Sequence, residues 1–201
     1  EDAIRPRTTG RQTIPMPALS DPETALDTGG FLRRVSPVDY DEICRASRLA
    51  SAAGVGLLLS GRTGCGKTLA IRCLAPPPPP YPSPHRWIYF DNPVQVGWLL
   101  DADLLRGIKA LVLDDVGMEG EKNNFGEWVS VFPRFLSDFQ RRIDGGERVP
   151  RLFVTTNLDV KAMMEEYGDR AMSRLLSMCQ PVAMTGRDHR KILRAGELPA
   201  V

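Results

Sequence analysis

No apolar run in the 201 residues approaches the roughly 18 needed to cross a bilayer, and the amino-terminal stretch lacks the apolar core of a signal peptide. Cysteine is sparse as well. Cys44, Cys65, Cys73 and Cys179 are scattered without a C-x-x-C pair, and the chain has two histidines. That argues against structural zinc and against a disulfide framework, and it fits a reducing compartment. Charge of one sign is also missing. Lys and Arg total 26 against 25 for Asp and Glu, so no overall field advertises nucleic acid, although a local basic patch stays open. A cytoplasmic protein with no membrane partner is the expectation.

What is present is ordinary in amount and uneven in placement. At 42% hydrophobic and 25% charged residues, the composition fits one globular domain with a real core. Residues 1–35, rich in Pro, Thr, Gly and Arg, read as an extended or disordered arm whose Arg5, Arg7 and Arg11 fit a solvated tail better than a contact with a partner or nucleic acid. Residues 36–196 read as the folded domain, and 197–201 as a frayed end. Pro76 to Pro80 are consecutive, with Pro82 and Pro84 close behind. Such a stretch can be neither helix nor central strand, and it reads as a stiff polyproline II surface connection.

The chain is organised around Gly56 to Thr68. Leu57, Leu58 and Leu59 form a short apolar run, as a strand buried on both faces does. Gly61 to Thr68 then match the phosphate-binding pattern G-x-x-x-x-G-K-S/T at every fixed position. Gly61, Gly64 and Gly66 let the backbone curl so that its N–H groups converge on an anion, with Arg62, Thr63 and Cys65 between them. A helix starting near Lys67 aims its positive end at the same place, and Leu69 follows in its first turn. Lys67, expected to be solvent-exposed, would put its ammonium on the β- and γ-phosphates of ATP, and the Thr68 hydroxyl would ligate Mg²⁺.

Around this loop the pattern predicts a helix over 39–53, strands at 87–90, 110–115, 151–157 and 181–185, and helices at 67–75, 94–106, 160–166 and 169–178. The apolar stripe from Phe125 to Ile143 predicts one more helix, with a kink or restart at Pro133. Its aromatics, Phe125, Trp128, Phe132, Phe135 and Phe139, read as a core face. Two strands end in polar clusters, Asp114-Asp115 and Thr155-Thr156-Asn157. In a parallel sheet these lie on the same edge as the phosphate loop. Asp114 is then placed to hold Mg²⁺, Asp115 to orient or deprotonate an attacking water, and Asn157 to hold that water or sense the γ-phosphate.

Gly56–Thr68, Leu111–Glu119, Phe153–Leu158 and Tyr167–Leu175, in that order, resemble AAA+ ATPases, and more narrowly the bacterial helicase-loader and insertion-sequence accessory ATPases of the DnaC/IstB type. The closing Gly186-Arg187-Asp188-His189-Arg190-Lys191 is similar to that family's final signature. The resemblance implies a three-layer α/β phosphate-loop fold with a five-stranded parallel sheet and no separate lid domain. It assigns Lys67 and Thr68 to Walker A, Asp114 and Asp115 to Walker B, and Asn157 to sensor 1. It makes Arg174 an arginine finger acting on a neighbouring subunit's ATP, and Arg190 a second arginine near the nucleotide. Arg170, one turn before Arg174, either joins the finger or pairs with an acid. The implied partners are further copies in a head-to-tail oligomer and a replicative helicase or transposase, with DNA left open. Many AAA+ proteins have Asp-Glu where this chain has Asp114-Asp115, which points to slow hydrolysis. A phosphate-loop small-molecule kinase and a nucleotide-binding scaffold with little turnover are the competing readings.

Overall fold

The structure is a computed structural model and describes residues 33, 36–74, 86–90, 108–117, 122–124, 127–129 and 131–190; for 72, 86–90, 108, 122–124 and 127–129 it describes the backbone alone. The arm at 1–35 apart from Arg33, the proline run at 76–84, the helix expected at 94–106 and the end at 197–201 lie outside the described residues.

Helix α1 spans Pro37–Ala53, with proline in its first turn where a missing N–H is harmless, and it stops at Gly54, whose φ of 72° is left-handed. Strand β1 (Gly56–Gly61) follows, then α2 (Lys67–Leu74), β2 (Arg86–Phe90), β3 (Ile108–Val116), β4 (Lys122–Asn124) and β5 (Glu127–Val129). Helix α3 (Val131–Asp144), β6 (Arg151–Thr156), α4 (Val160–Tyr167), α5 (Asp169–Met178) and β7 (Cys179–Met184) complete the order. Five strands form one sheet in the order β2-β3-β6-β1-β7, and every neighbouring pair is parallel. All carboxyl ends therefore share one edge. No helix among the described residues is long and apolar enough to cross a membrane.

The apolar run of β1 divides its side chains between two cores, because successive residues of a strand point to opposite faces. Leu57 and Leu59 join the layer built by α1 and α2, with Tyr40, Ile43, Ala46, Ala70 and Ile71. Leu58 joins the other layer, with Leu111 and Leu113 of β3 and residues of α3, α4 and α5. The sheet is thus covered on both faces, which explains why its strands read as continuous apolar runs rather than alternating ones.

The helix expected over 125–143 is corrected at its amino-terminal end. Residues 122–124 and 127–129 form a two-stranded antiparallel hairpin in which Trp128 pairs with Asn123. The helix begins only at Val131, so Pro133 falls in its first turn. Proline fits there because the first-turn N–H groups have no intrahelical acceptor, whereas farther into a helix it would break a hydrogen bond. The core reading of the aromatics holds for Phe132, Phe135 and Phe139, each almost fully buried. Phe132 meets Tyr167 edge-on with ring centroids 5.0 Å apart. Strand β7 starts two residues earlier than expected. Cys179 caps α5 in an extended conformation, so helix passes into strand without a loop.

Candidate functional site at the carboxyl edge of the sheet

The site begins where β1 ends. Gly61, Gly64 and Gly66 have φ values of 151°, 84° and 98°, in the region that favours glycine, so the spacing of the glycines is the shape of the loop. Cys65 turns inward and is fully buried in the core beside α1. Burial pushes its thiol pKa up, so it is an unreactive core residue. Helix α2 opens at Lys67, directly behind the loop.

Lys67 is not exposed, contrary to the sequence expectation: only 4% of its surface reaches solvent. A buried ammonium needs acceptors for its three protons. It donates to the carbonyl oxygens of Gly61 at 2.8 Å and Arg62 at 2.9 Å, and to Asn157 Oδ1 at 2.9 Å. One lysine thereby joins the end of β1 to the end of β6.

The next strand pair brings the carboxylates. The ladder between β3 and β6 matches Leu113 with Val154 and resumes with Val116 opposite Thr156. Two residues, Asp114 and Asp115, therefore face Thr155 alone, which is a β-bulge. Asp115 has a φ of 55°, the one positive value at a non-glycine among the described residues. The Thr155 hydroxyl holds the bulge from both sides. It accepts from the Asp115 N–H at 2.8 Å and donates to Asp114 Oδ1 at 2.5 Å. Across the sheet edge, Thr68 Oγ1 donates to the same carboxylate, at 2.9 and 3.1 Å from its two oxygens. Asn157 Nδ2 reaches Asp115 Oδ1 at 3.3 Å.

These groups converge on a pocket of about 370 Å³ lined by Thr63, Gly64, Gly66, Lys67, Thr68, Leu69, Asp115, Asn157, His189 and Arg190. Of the residues expected at the site, Arg62 contributes its carbonyl oxygen to Lys67 while its side chain is exposed. Arg174 is not brought to the pocket. It lies half-buried on α5 and donates to Ser137 Oγ of α3 at 3.0 Å. Arg170 is exposed.

Four residues of the site region had no assigned role in the sequence reading: Thr155, Asp39, Asp188 and His189. Thr155 was visible as part of a polar strand end, but its bridge to two carboxylate residues depends on a register shift that periodicity does not reveal. His189 is 3% exposed, and its backbone N–H donates to Gly64 O at 3.0 Å. Burial lowers its pKa below the ordinary value, against opposing pulls from the Cys65 backbone, Asp39 and Asp188.

The donor set suits a hard divalent cation. Thr68 and Asp114 present oxygen ligands in mutual contact at the foot of a phosphate-type loop, which is the chemistry of Mg²⁺ shared with a phosphate substrate.

No family model matches the chain, and no curated protein matches it. Among solved structures the chain is similar to the DnaC helicase loader. That likeness has a TM-score of 0.48 and 16% identity, covering 74% of this chain and 91% of the other. It is also similar to AMPPCP-bound DnaA from Aquifex aeolicus, with a TM-score of 0.46 and 14% identity over 83% of this chain. The chain spans about half of that DnaA structure, the match covering 54% of its length.

Proposed function

We propose that the chain binds and hydrolyses ATP as an AAA+ protein, a nucleotide-switched loader serving a helicase or transposase in DNA metabolism. One observation carries this reading: the glycine loop, Thr68, Asp115 and Asn157 line one pocket at the carboxyl edge of the sheet, with the buried Asp114 bonded to Thr68. In this reading Lys67 exchanges the Gly61 and Arg62 carbonyl oxygens for phosphate oxygens. Backbone N–H groups of the loop add donors, and Arg190 adds charge at the rim. Thr68 and Asp114 would hold Mg²⁺, which would supply positive charge where negative charge develops during phosphoryl transfer. Asp115 takes the proton of the attacking water, and Asn157, bonded to both Lys67 and Asp115, keeps that carboxylate in register with the phosphate end.

Arg174 serves a neighbour in this proposal. It is directed at α3 of its own chain rather than at its own pocket. A finger that acts across subunits makes a heterologous contact, so the active form is a head-to-tail ring or an open filament. The client helicase or transposase, any DNA contact and a cytoplasmic setting belong to the same proposal. The test is complementation. Arg174→Ala and Lys67→Ala should each be inactive alone, and their mixture should recover part of the ATPase activity. Wild-type specific activity should rise with protein concentration. Concentration-independent turnover without rescue would point instead to a self-contained, kinase-like site.

A further inference from the structure

Asp39 lies in the first turn of α1, is 2% exposed, and accepts four hydrogen bonds. Ser36 Oγ donates to it at 2.6 Å and the Gly186 N–H at 2.8 Å. The Thr185 N–H reaches it at 2.8 Å and Thr185 Oγ1 at 3.3 Å. Two of these partners are backbone donors some 146 positions away, at the point where the chain leaves β7. Hydrogen bonds to a buried carboxylate are among the stronger ones, so this point is fixed firmly.

The same short segment is tied at its other end to the phosphate loop. The His189 N–H donates to Gly64 O at 3.0 Å, and Asp188 Oδ1 accepts from the Arg190 N–H at 3.1 Å. The Asp188 side chain backs directly onto Gly64: a Cβ there would lie 1.9 Å from Asp188 Oδ1. Residues 185–190 thus form a strap, pinned by Asp39 at its start and resting on the loop at its end. The strap brings His189 and Arg190 to the pocket.

We infer that Asp39 is a positioning residue: it holds the 185–190 strap across the phosphate loop and so sets the loop's ligand-ready shape and the place of Arg190. It touches no ligand itself. Its effect on ligand rests on the nucleotide reading above, so the test has two arms. The first is amide hydrogen exchange of the protein alone. The Thr185 and Gly186 N–H groups bond different oxygens of the carboxylate, so Asp39→Asn keeps one acceptor, sets an NH₂ group against the other N–H and removes the charge from both bonds. The His189 amide and those of residues 62–66 should then exchange about tenfold faster, the scale of one charge-assisted hydrogen bond. The amides of β1 and β6 should be unchanged. Unaltered exchange at His189 overturns the clamp.

The second arm is ATP titration well below the unfolding midpoint. Asp39→Asn should weaken binding about tenfold, and by much less when Arg190→Ala is already present, because coupled residues do not add. Fully additive losses overturn the positioning role. Binding that needs Lys67 but is indifferent to Asp39 overturns this inference alone, whereas wild-type protein that binds no ATP overturns the nucleotide reading together with it. Should Asp39→Asn fail to fold, Gly186→Ala breaks the same contact from the other side: its Cβ would lie 2.6 Å from Asp39 Oδ2.

Discussion

The two flanks of the phosphate loop are built differently. On the β3–β6 flank, polar residues follow apolar runs within a few positions, and a single bulge turns them toward the pocket. On the α1–β7 flank, a carboxylate near the start of the domain holds a backbone segment near its end. The first flank uses side chains directed at the pocket. The second uses a side chain directed at backbone, which then shapes the loop. In the proposed function the first arrangement supplies chemistry and the second supplies geometry.

The largest expected effect that separates the flanks is on turnover. Asp115→Asn should reduce ATP hydrolysis by about 10²-fold or more, the scale of a lost general base, while ATP affinity changes by a few-fold at most. Steady-state hydrolysis beside equilibrium binding checks this. Normal hydrolysis in the variant would mean that the base lies elsewhere.

A smaller effect should come from the bulge. Thr155→Val keeps the shape but strands the Asp115 N–H and removes a donor from Asp114, at a cost of about 1–3 kcal/mol in stability. Thr155→Ser should restore most of that loss. Urea unfolding measures both, and equal stability of the valine variant and the native protein would show that the hydroxyl bridge does not hold the bulge.

The smallest effect concerns the strap flank and is one of pH. His189 is held neutral by burial, its folded pKa lying below the ordinary 6.5. The unfolded chain takes up that proton first as pH falls. This part of the stability is intact above about pH 6.5 and is lost as pH drops from there through the folded value. Replacing the residue by Gln in His189→Gln should flatten the decline between pH 7 and the folded value. An unchanged slope in the variant would assign the decline to other groups.

The contrast between the flanks also explains what was legible in the sequence. Glycine spacing, apolar runs and the acids and amide that end them are local signals, and Gly61–Thr68, Asp114, Asp115 and Asn157 all lie at the sheet edge where those signals put them. Asp39 carries no local signal, since an acid in the first turn of a helix is common and its partners are backbone groups far away in the chain. Lys67 is buried where the sequence predicts exposure, because the pattern shows what its ammonium would meet with phosphate present, not the carbonyl oxygens and the amide that surround it in the protein alone. The stripe at 125–143 reads as one helix because apolar spacing across the β5–α3 junction imitates one. Of the two outcomes expected at Pro133, a kink or a restart, the structure has a helix start, with Pro133 in its first turn.

The most direct test of the account is titration of Mg-ATP into wild-type protein and Lys67→Ala, with unfolding of both followed in the absence of nucleotide. The wild type should bind, and the variant should lose most of its affinity, more than tenfold. The variant should also lose some stability without ligand, because Gly61 O, Arg62 O and Asn157 Oδ1 are deprived of a buried donor. Equal affinity in the two proteins would contradict the claim that this loop is the nucleotide site.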